Sequence, residues 1–137
     1  IIDLMPTFLE LAGANYPDTF HGNQLPPLPG KSLVPAFTGS RLGAREIGWE
    51  HEGNRAMRVG DWKIVAPYRG EWELYNLKQD RSEVNNRAAK LPEKLKELSV
   101  TWQEWADKVG VVPWEKLPGA NYKPNAGYRK KSESVAP

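Results

Sequence analysis

From residue 46 to residue 77 the side chains change character at every second position, and the interruptions are only a few residues long. Arg55, Met57 and Val59 alternate with Ala56 and Arg58, and Trp62 and Ile64 alternate with Lys63 and Val65. Successive side chains of a strand point to opposite faces, so the pattern predicts strands over 46–51, 54–59, 62–65 and 71–77. Gly60-Asp61 makes a tight turn, and Pro67-Tyr68-Arg69-Gly70 breaks the next pair. Parallel neighbours need a crossover of about a dozen residues or more, which these connections do not provide. The chain is therefore expected to form a four-stranded antiparallel meander, one face of which must be covered.

The cover is written further along. Pro92 suits a first helical position, and Leu91, Leu95, Leu98, Trp102, Trp105 and Val109 then recur at alternating spacings of four and three before Gly110 ends the pattern. An uninterrupted apolar stripe beside a sheet reads as core, so no function is attached to it. The expected fold class is α+β: a four-stranded antiparallel meander against a C-terminal amphipathic helix, preceded by a short helix and a long Pro/Gly-rich loop.

The short helix is expected near the start, with Asp3 as its cap, Pro6 in its first turn and Gly13 as its stop. Leu4, Met5, Phe8, Leu9, Leu11 and Ala12 give it a broad apolar face, which predicts burial. Residues 14–31 are dense in turn formers and read as loop, and Ser32 opens a further helical turn closed by Gly39. Beyond Val111 the chain is rich in Pro, Gly, Asn and Lys without a period. It is expected to be extended or disordered, with Pro113-Trp114 and Tyr122 as candidate anchors. The first residues, IIDLMPTFLELAG, lack an initiator Met and read like the interior of a folded element, so a piece of a longer protein is expected.

Composition narrows the function classes. With 137 residues, 39% apolar and 26% charged, the chain has the makings of one globular core. A formal net charge of +2 gives a nearly balanced surface, and the one basic cluster, Arg129-Lys130-Lys131, lies in the tail. That argues against a nucleic-acid partner, which calls for a basic stripe. No window is apolar and long enough to span a membrane. The absence of cysteine excludes disulfides, thiolate metal sites and cysteine nucleophiles in this chain, and leaves the compartment undecided.

The residues that most invite a chemical reading are Glu50, His51 and Glu52, a histidine between two carboxylates. On an extended strand, Glu50 and His51 point to opposite faces while Glu50 and Glu52 share one, so the three do not make a metal site or an acid–base pair by themselves. The other histidine, His21, sits far away in the loop. Dinucleotide, P-loop, HExxH and GxSxG signatures are all missing. Arg55, Arg58 and Lys63 invite an anion-binding reading, against the plainer one of a solvated strand face.

Five phrases, in order, resemble the C-terminal part of the sulfatase family, especially its bacterial arylsulfatase branch. They are DLMPTFLELAGANYP, PLPGKSLVPAFTG, WEHEGNRAMRVGDWKIV, WELYNLKQDRSEVNN and LPEKLKELSVTWQEWADKVGVVPW, spread over residues 3–114. The resemblance implies a large α/β catalytic domain elsewhere, followed by a small domain of four antiparallel strands and a helix. It divides this chain into 1–39, a last helix and bridging loop; 40–112, the small subdomain; and 113–137, the tail. It also implies hydrolysis of sulfate esters by a formylglycine made from Cys or Ser, with a calcium ion and cationic side chains holding the sulfate. Neither the C/S-x-P/A-x-R motif nor the family's calcium and sulfate ligands match any position here. No catalytic or metal residue is therefore assigned, and the chain by itself is expected to be inactive.

What the resemblance suggests for this chain is a place beside the mouth of the catalytic pocket. The strand end carrying Glu50, His51, Glu52 and Asn54, with Arg55 behind it, is the candidate rim. The partners implied are the catalytic domain, a sulfate-ester substrate in the parent, and a second copy through apolar surface left uncovered. The competing reading is a stand-alone binding module for sulfated glycans or other anionic ligands, using exposed Arg, Lys and Trp.

Overall fold

The computed structural model describes residues 1–118. It divides into two compact units, residues 1–44 and the remainder from Arg45.

In the first unit, α1 (Leu4–Ala12) is followed by a minimal hairpin of β1 (Thr19–Phe20) and β2 (Asn23–Gln24), and by the four-residue α2 (Val34–Phe37). Gly13 ends α1 in a left-handed conformation, as expected. Asp3, however, makes no side-chain cap: its backbone is already helical, and its Oδ1 accepts from the Lys31 amide at 2.9 Å. Thr7 donates through Oγ1 to the Asp3 carbonyl and accepts from the Leu33 amide, so residues 31–33 are fastened to the first turn of α1. The expected burial of α1 is not found. Phe8 and Leu11 are 61% and 62% exposed, Leu4 and Met5 are exposed as well, and Thr7 alone is buried. The stretch expected to be pure loop holds the β1–β2 hairpin, whose two-residue turn puts His21 and Gly22 in the left-handed region.

The second unit is the predicted α+β layer pair. Strands β3 (Glu46–His51), β4 (Asn54–Val59), β5 (Trp62–Ala66) and β6 (Glu73–Asn76) form one sheet in sequence order, every neighbour antiparallel. The register aligns Gly48, Met57, Ile64 and Leu74 in a single row across all four strands. Met57, Ile64 and Leu74 are fully buried against Leu98, Trp102 and Ala106 of α3 (Pro92–Val109). Gly48 supplies the space for Trp105, because a β-carbon there would fall inside the indole.

The helical stripe is buried at its centre and open at its ends. Val109 is 53% exposed and Leu91, the residue before the first turn, is also exposed. The cause is length: 18 residues make a helix of about 27 Å, whereas a six-residue strand spans about 20 Å. A helix of that length outruns the strands it covers, while Ala106, outside the expected stripe, enters the core.

The segment between β6 and α3 covers the β6 edge of the sheet at Leu74. Asn86 accepts through Oδ1 from the Leu74 amide, and the Arg87 amide donates to the Leu74 carbonyl. Asp80 organises this segment by accepting from the Val84 and Asn85 amides, and Lys63 pairs with Glu83 at 2.6 Å. After α3 the chain turns back through Val111 into a short 3-10 turn, Trp114–Lys116. The expected tail thus begins with ordered structure, and its remainder, with Tyr122, lies outside the described residues.

Candidate functional site

The β3–β4 hairpin closes through Glu52 and Gly53, both left-handed at φ +53° and +80°. Two consecutive residues of that kind make the type I′ turn, whose twist matches that of its strands. Glu50 reinforces it, its Oε1 accepting from the Gly53 amide at 2.7 Å. Asn54 works on both sides of the turn: its Nδ2 donates to the His51 carbonyl at 2.8 Å, and its Oδ1 accepts from the Tyr68 amide at 3.1 Å. The Tyr68 ring lies over Gly53 so closely that any β-carbon would collide with it.

Behind this turn, on the face that carries α3, lies a cleft of about 330 Å³. The hairpin supplies Glu50, Gly53 and Arg55, the β5–β6 loop Tyr68 and Arg69, and α3 Trp102 and Gln103. Its far wall is the segment from Val111 to Glu115, including Trp114. The volume falls at the lower end of the range for small-molecule sites, about 300–1,000 Å³.

Arg55 reaches this cleft because it shares a strand face with Met57 but stands one position outside the core row. Its guanidinium carbon sits 4.6 Å from the ring centre of Trp72 and 5.5 Å from that of Trp102. The two indoles meet edge to face at 5.7 Å, and Trp102 is fixed by a 3.1 Å bond from its Nε1 to the Trp49 carbonyl. Stacking of this kind holds a guanidinium plane without using its N–H donors. Arg69 lies 5.0 Å from the Tyr68 ring in the same way.

The five candidate rim residues thus take separate places. Glu50 and Arg55 line the cleft. His51 is exposed, and strand alternation puts it on the other face of the sheet. Glu52 is at the tip of the turn, and Asn54 is occupied by the hydrogen bonds that build it. The sequence pattern does not mark Trp114, Tyr68 or Gln103 as site residues and offers Pro113-Trp114 only as an anchor. The signal that points to Trp114 is a large aromatic just past a helix stop.

Among the described residues, no three His, Cys, Asp or Glu side chains gather as a cation site. The residues present therefore do not fit a bound calcium ion, and no chemical step is routed through one. Nor is any helix among them long and apolar enough to cross a membrane.

No protein-family model matches the chain. Relatives are nevertheless clear. An uncharacterised sulfatase of the fission yeast Schizosaccharomyces pombe is 37% identical over 120 residues, covering 82% of this chain and 22% of the relative. An N-acetylglucosamine-6-O-sulfatase of Bacteroides thetaiotaomicron is 32% identical over 112 residues, covering 75% of this chain and 20% of the relative. Among solved structures, one in complex with its substrate D-glucosamine-2-N,6-O-disulfate superimposes with a TM-score of 0.60 at 26% identity. That match covers 84% of this chain and 25% of the other. The chain thus spans about a fifth to a quarter of the length of the proteins it matches.

Proposed function

The chain belongs to the sulfatase family, as a C-terminal-type portion of it, and from that premise we propose that it is an accessory subdomain that packs on the catalytic domain and shapes the substrate pocket. The observation that carries this reading is the pattern of coverage: most of this chain aligns, but only about a fifth of each curated relative. The apolar face of α1, exposed within its own unit, supports a partner domain as its cover.

In the parent, formylglycine and calcium would supply the sulfuryl-transfer chemistry from residues that this chain does not contain. We read the substrate as a sulfate ester carried on a sugar, supported by the names of the Bacteroides enzyme and of the disulfated ligand in the superimposed structure. We also read the parent as a bacterial arylsulfatase-type enzyme, supported by the Bacteroides relative. Glu50, His51, Glu52, Asn54 and Arg55 are proposed as its pocket rim. Glu50 and Asn54 hold the turn, leaving His51 and Glu52 as groups free to meet substrate at its tip.

His51→Ala and Glu52→Ala test this in the full-length enzyme. Neither side chain lines the cleft, so both variants should fold. The expected result is a fall in kcat/KM of roughly threefold to tenfold for each lost hydrogen bond to substrate. Unchanged kcat/KM in both variants, on the enzyme's own substrate, would sink the pocket-shaping role. The isolated chain should hydrolyse no 4-nitrophenyl sulfate.

A further inference from the structure

Two neighbouring loops at one end of the sheet each hold a residue that its turn does not suit. In the β3–β4 turn it is Glu52, at φ +53°, where a type I′ turn favours Asn, Asp or Gly. In the β5–β6 loop the Gly70 amide donates to the Pro67 carbonyl at 2.8 Å, which makes a turn with Tyr68 and Arg69 at its centre. Arg69 stands at φ +61°, and a positive φ at that place calls for Gly or Asn. Left-handed backbone is unfavourable for a residue with a β-carbon, and it persists where surrounding contacts hold it.

The holding contacts run between the two loops and meet at Tyr68. Backbone pairing of β4 with β5 ends at Arg55 and Ala66. Beyond it the Asn54 side chain continues the link, its Oδ1 accepting from the Tyr68 amide at 3.1 Å. The Tyr68 ring covers Gly53 with no room for a β-carbon, and the Arg69 guanidinium carbon lies 5.0 Å from the centre of the same ring. Gly takes positive and negative φ about equally, so an uncovered Gly53 would have other conformations open to it. Each of them would redirect Glu52, the residue before it.

We propose that the β5–β6 loop is a buttress for the rim turn, with Tyr68 as the positioning residue that fixes the direction in which the turn presents His51 and Glu52. This role deepens the pocket-shaping reading and rests on it, because Tyr68 acts on substrate only through the turn.

Amide exchange in the 137-residue chain, which involves no substrate, reads the buttress directly. Tyr68→Ala should speed exchange of the Gly53 amide by about tenfold or more, while the amide of buried Leu98 changes far less. Tyr68→Phe, which keeps the ring, should retain the protection. In the full-length enzyme Tyr68→Ala should lower kcat/KM by about tenfold, mainly through KM, as expected for contacts made alike to bound substrate and transition state. In a His51→Ala/Glu52→Ala background the same substitution should change kcat/KM by less than about twofold, since the groups it positions are gone. General loosening of the fold would cost the same factor in both backgrounds.

Unchanged Gly53 exchange in the folded Tyr68→Ala chain overturns the buttress, whatever the kinetics. An equal loss in both backgrounds, or no loss where the rim variants are impaired, overturns the positioning role and leaves the rim reading standing. If His51→Ala and Glu52→Ala are themselves unimpaired, the rim reading falls and this role with it, however fast Gly53 exchanges. Circular dichroism establishes that each variant is folded. Should Tyr68→Ala not fold, Tyr68→Leu, which keeps bulk without the flat ring, is judged by the same measurements.

Discussion

Gly48 lies directly beneath the indole of Trp105, with no room for a β-carbon between them. A glycine within a strand ordinarily weakens it, by about 0.5–1 kcal/mol relative to alanine. At this position the sign should reverse, because a methyl group would lift α3 off β3. Gly48→Ala is expected to destabilise the chain by about 1–3 kcal/mol, the usual penalty of overpacking. Urea denaturation gives the value; an alanine variant as stable as the wild type would show that Trp105 moves aside freely.

The Trp102 indole makes a second tie between helix and sheet, 3.1 Å from the Trp49 carbonyl. Trp102→Phe keeps an aromatic ring beside Arg55 but leaves that carbonyl without this donor. A loss of about 1–2 kcal/mol is expected, again by urea denaturation. No change in midpoint would mean that solvent satisfies the carbonyl equally well.

Glu52 occupies the first position of a type I′ turn at φ +53°, a conformation that costs most L-residues about 1–2 kcal/mol and asparagine less. Glu52→Asn creates the Asn-Gly pair that this turn prefers. The chain should gain about 1 kcal/mol or somewhat less. A rise in thermal midpoint checks it, and a fall would mean that the Glu52 side chain makes a stabilising contact of its own.

Asp80 gives the fold an acid-sensitive point. Bonds from the backbone amides of Asn85 and then Val84 hold its carboxyl below the ordinary 3.8, against a smaller opposing effect of burial. A group whose folded pKa is depressed contributes stability above its unfolded pKa of about 3.9 and loses it as pH falls through the folded value. Stability should therefore drop below about pH 4, and Asp80→Asn should flatten that part of the profile while lowering stability at neutral pH. Denaturation midpoints at pH 7 and pH 3 are the measurement; identical slopes for the two proteins would refute the role.

The sheet was legible in the sequence because its signals are local. The alternation around Met57 and Ile64 and the turn residues at Glu52-Gly53 and Gly60-Asp61 each act within a few positions. The burial of α1 was not legible, because an apolar helix face reads the same whether its cover is in this chain or in another. Leu91 and Val109 fit the helical period and still lie outside the core, since periodicity reports angle around the axis and not the extent of the opposing sheet. At the site, Arg55 stood out by its pattern. Its place in one cleft with Trp114 did not, because 59 positions separate them and a turn after Gly110 brings the second into the lining.

That order of assembly has a kinetic side. Every strand of the sheet pairs with the next in sequence, so the meander closes only short loops. The bond from Trp102 to Trp49 spans 53 positions and forms only when α3 docks. The sheet is thus placed to form early and the helix late, which predicts higher φ-values at Ile64 than at Leu98. Since one wall of the Arg55 cleft is α3 and another is the segment after it, the cavity is the last part of this unit to exist. Any contact made across that cleft would therefore slow unfolding and leave the rate of folding almost untouched.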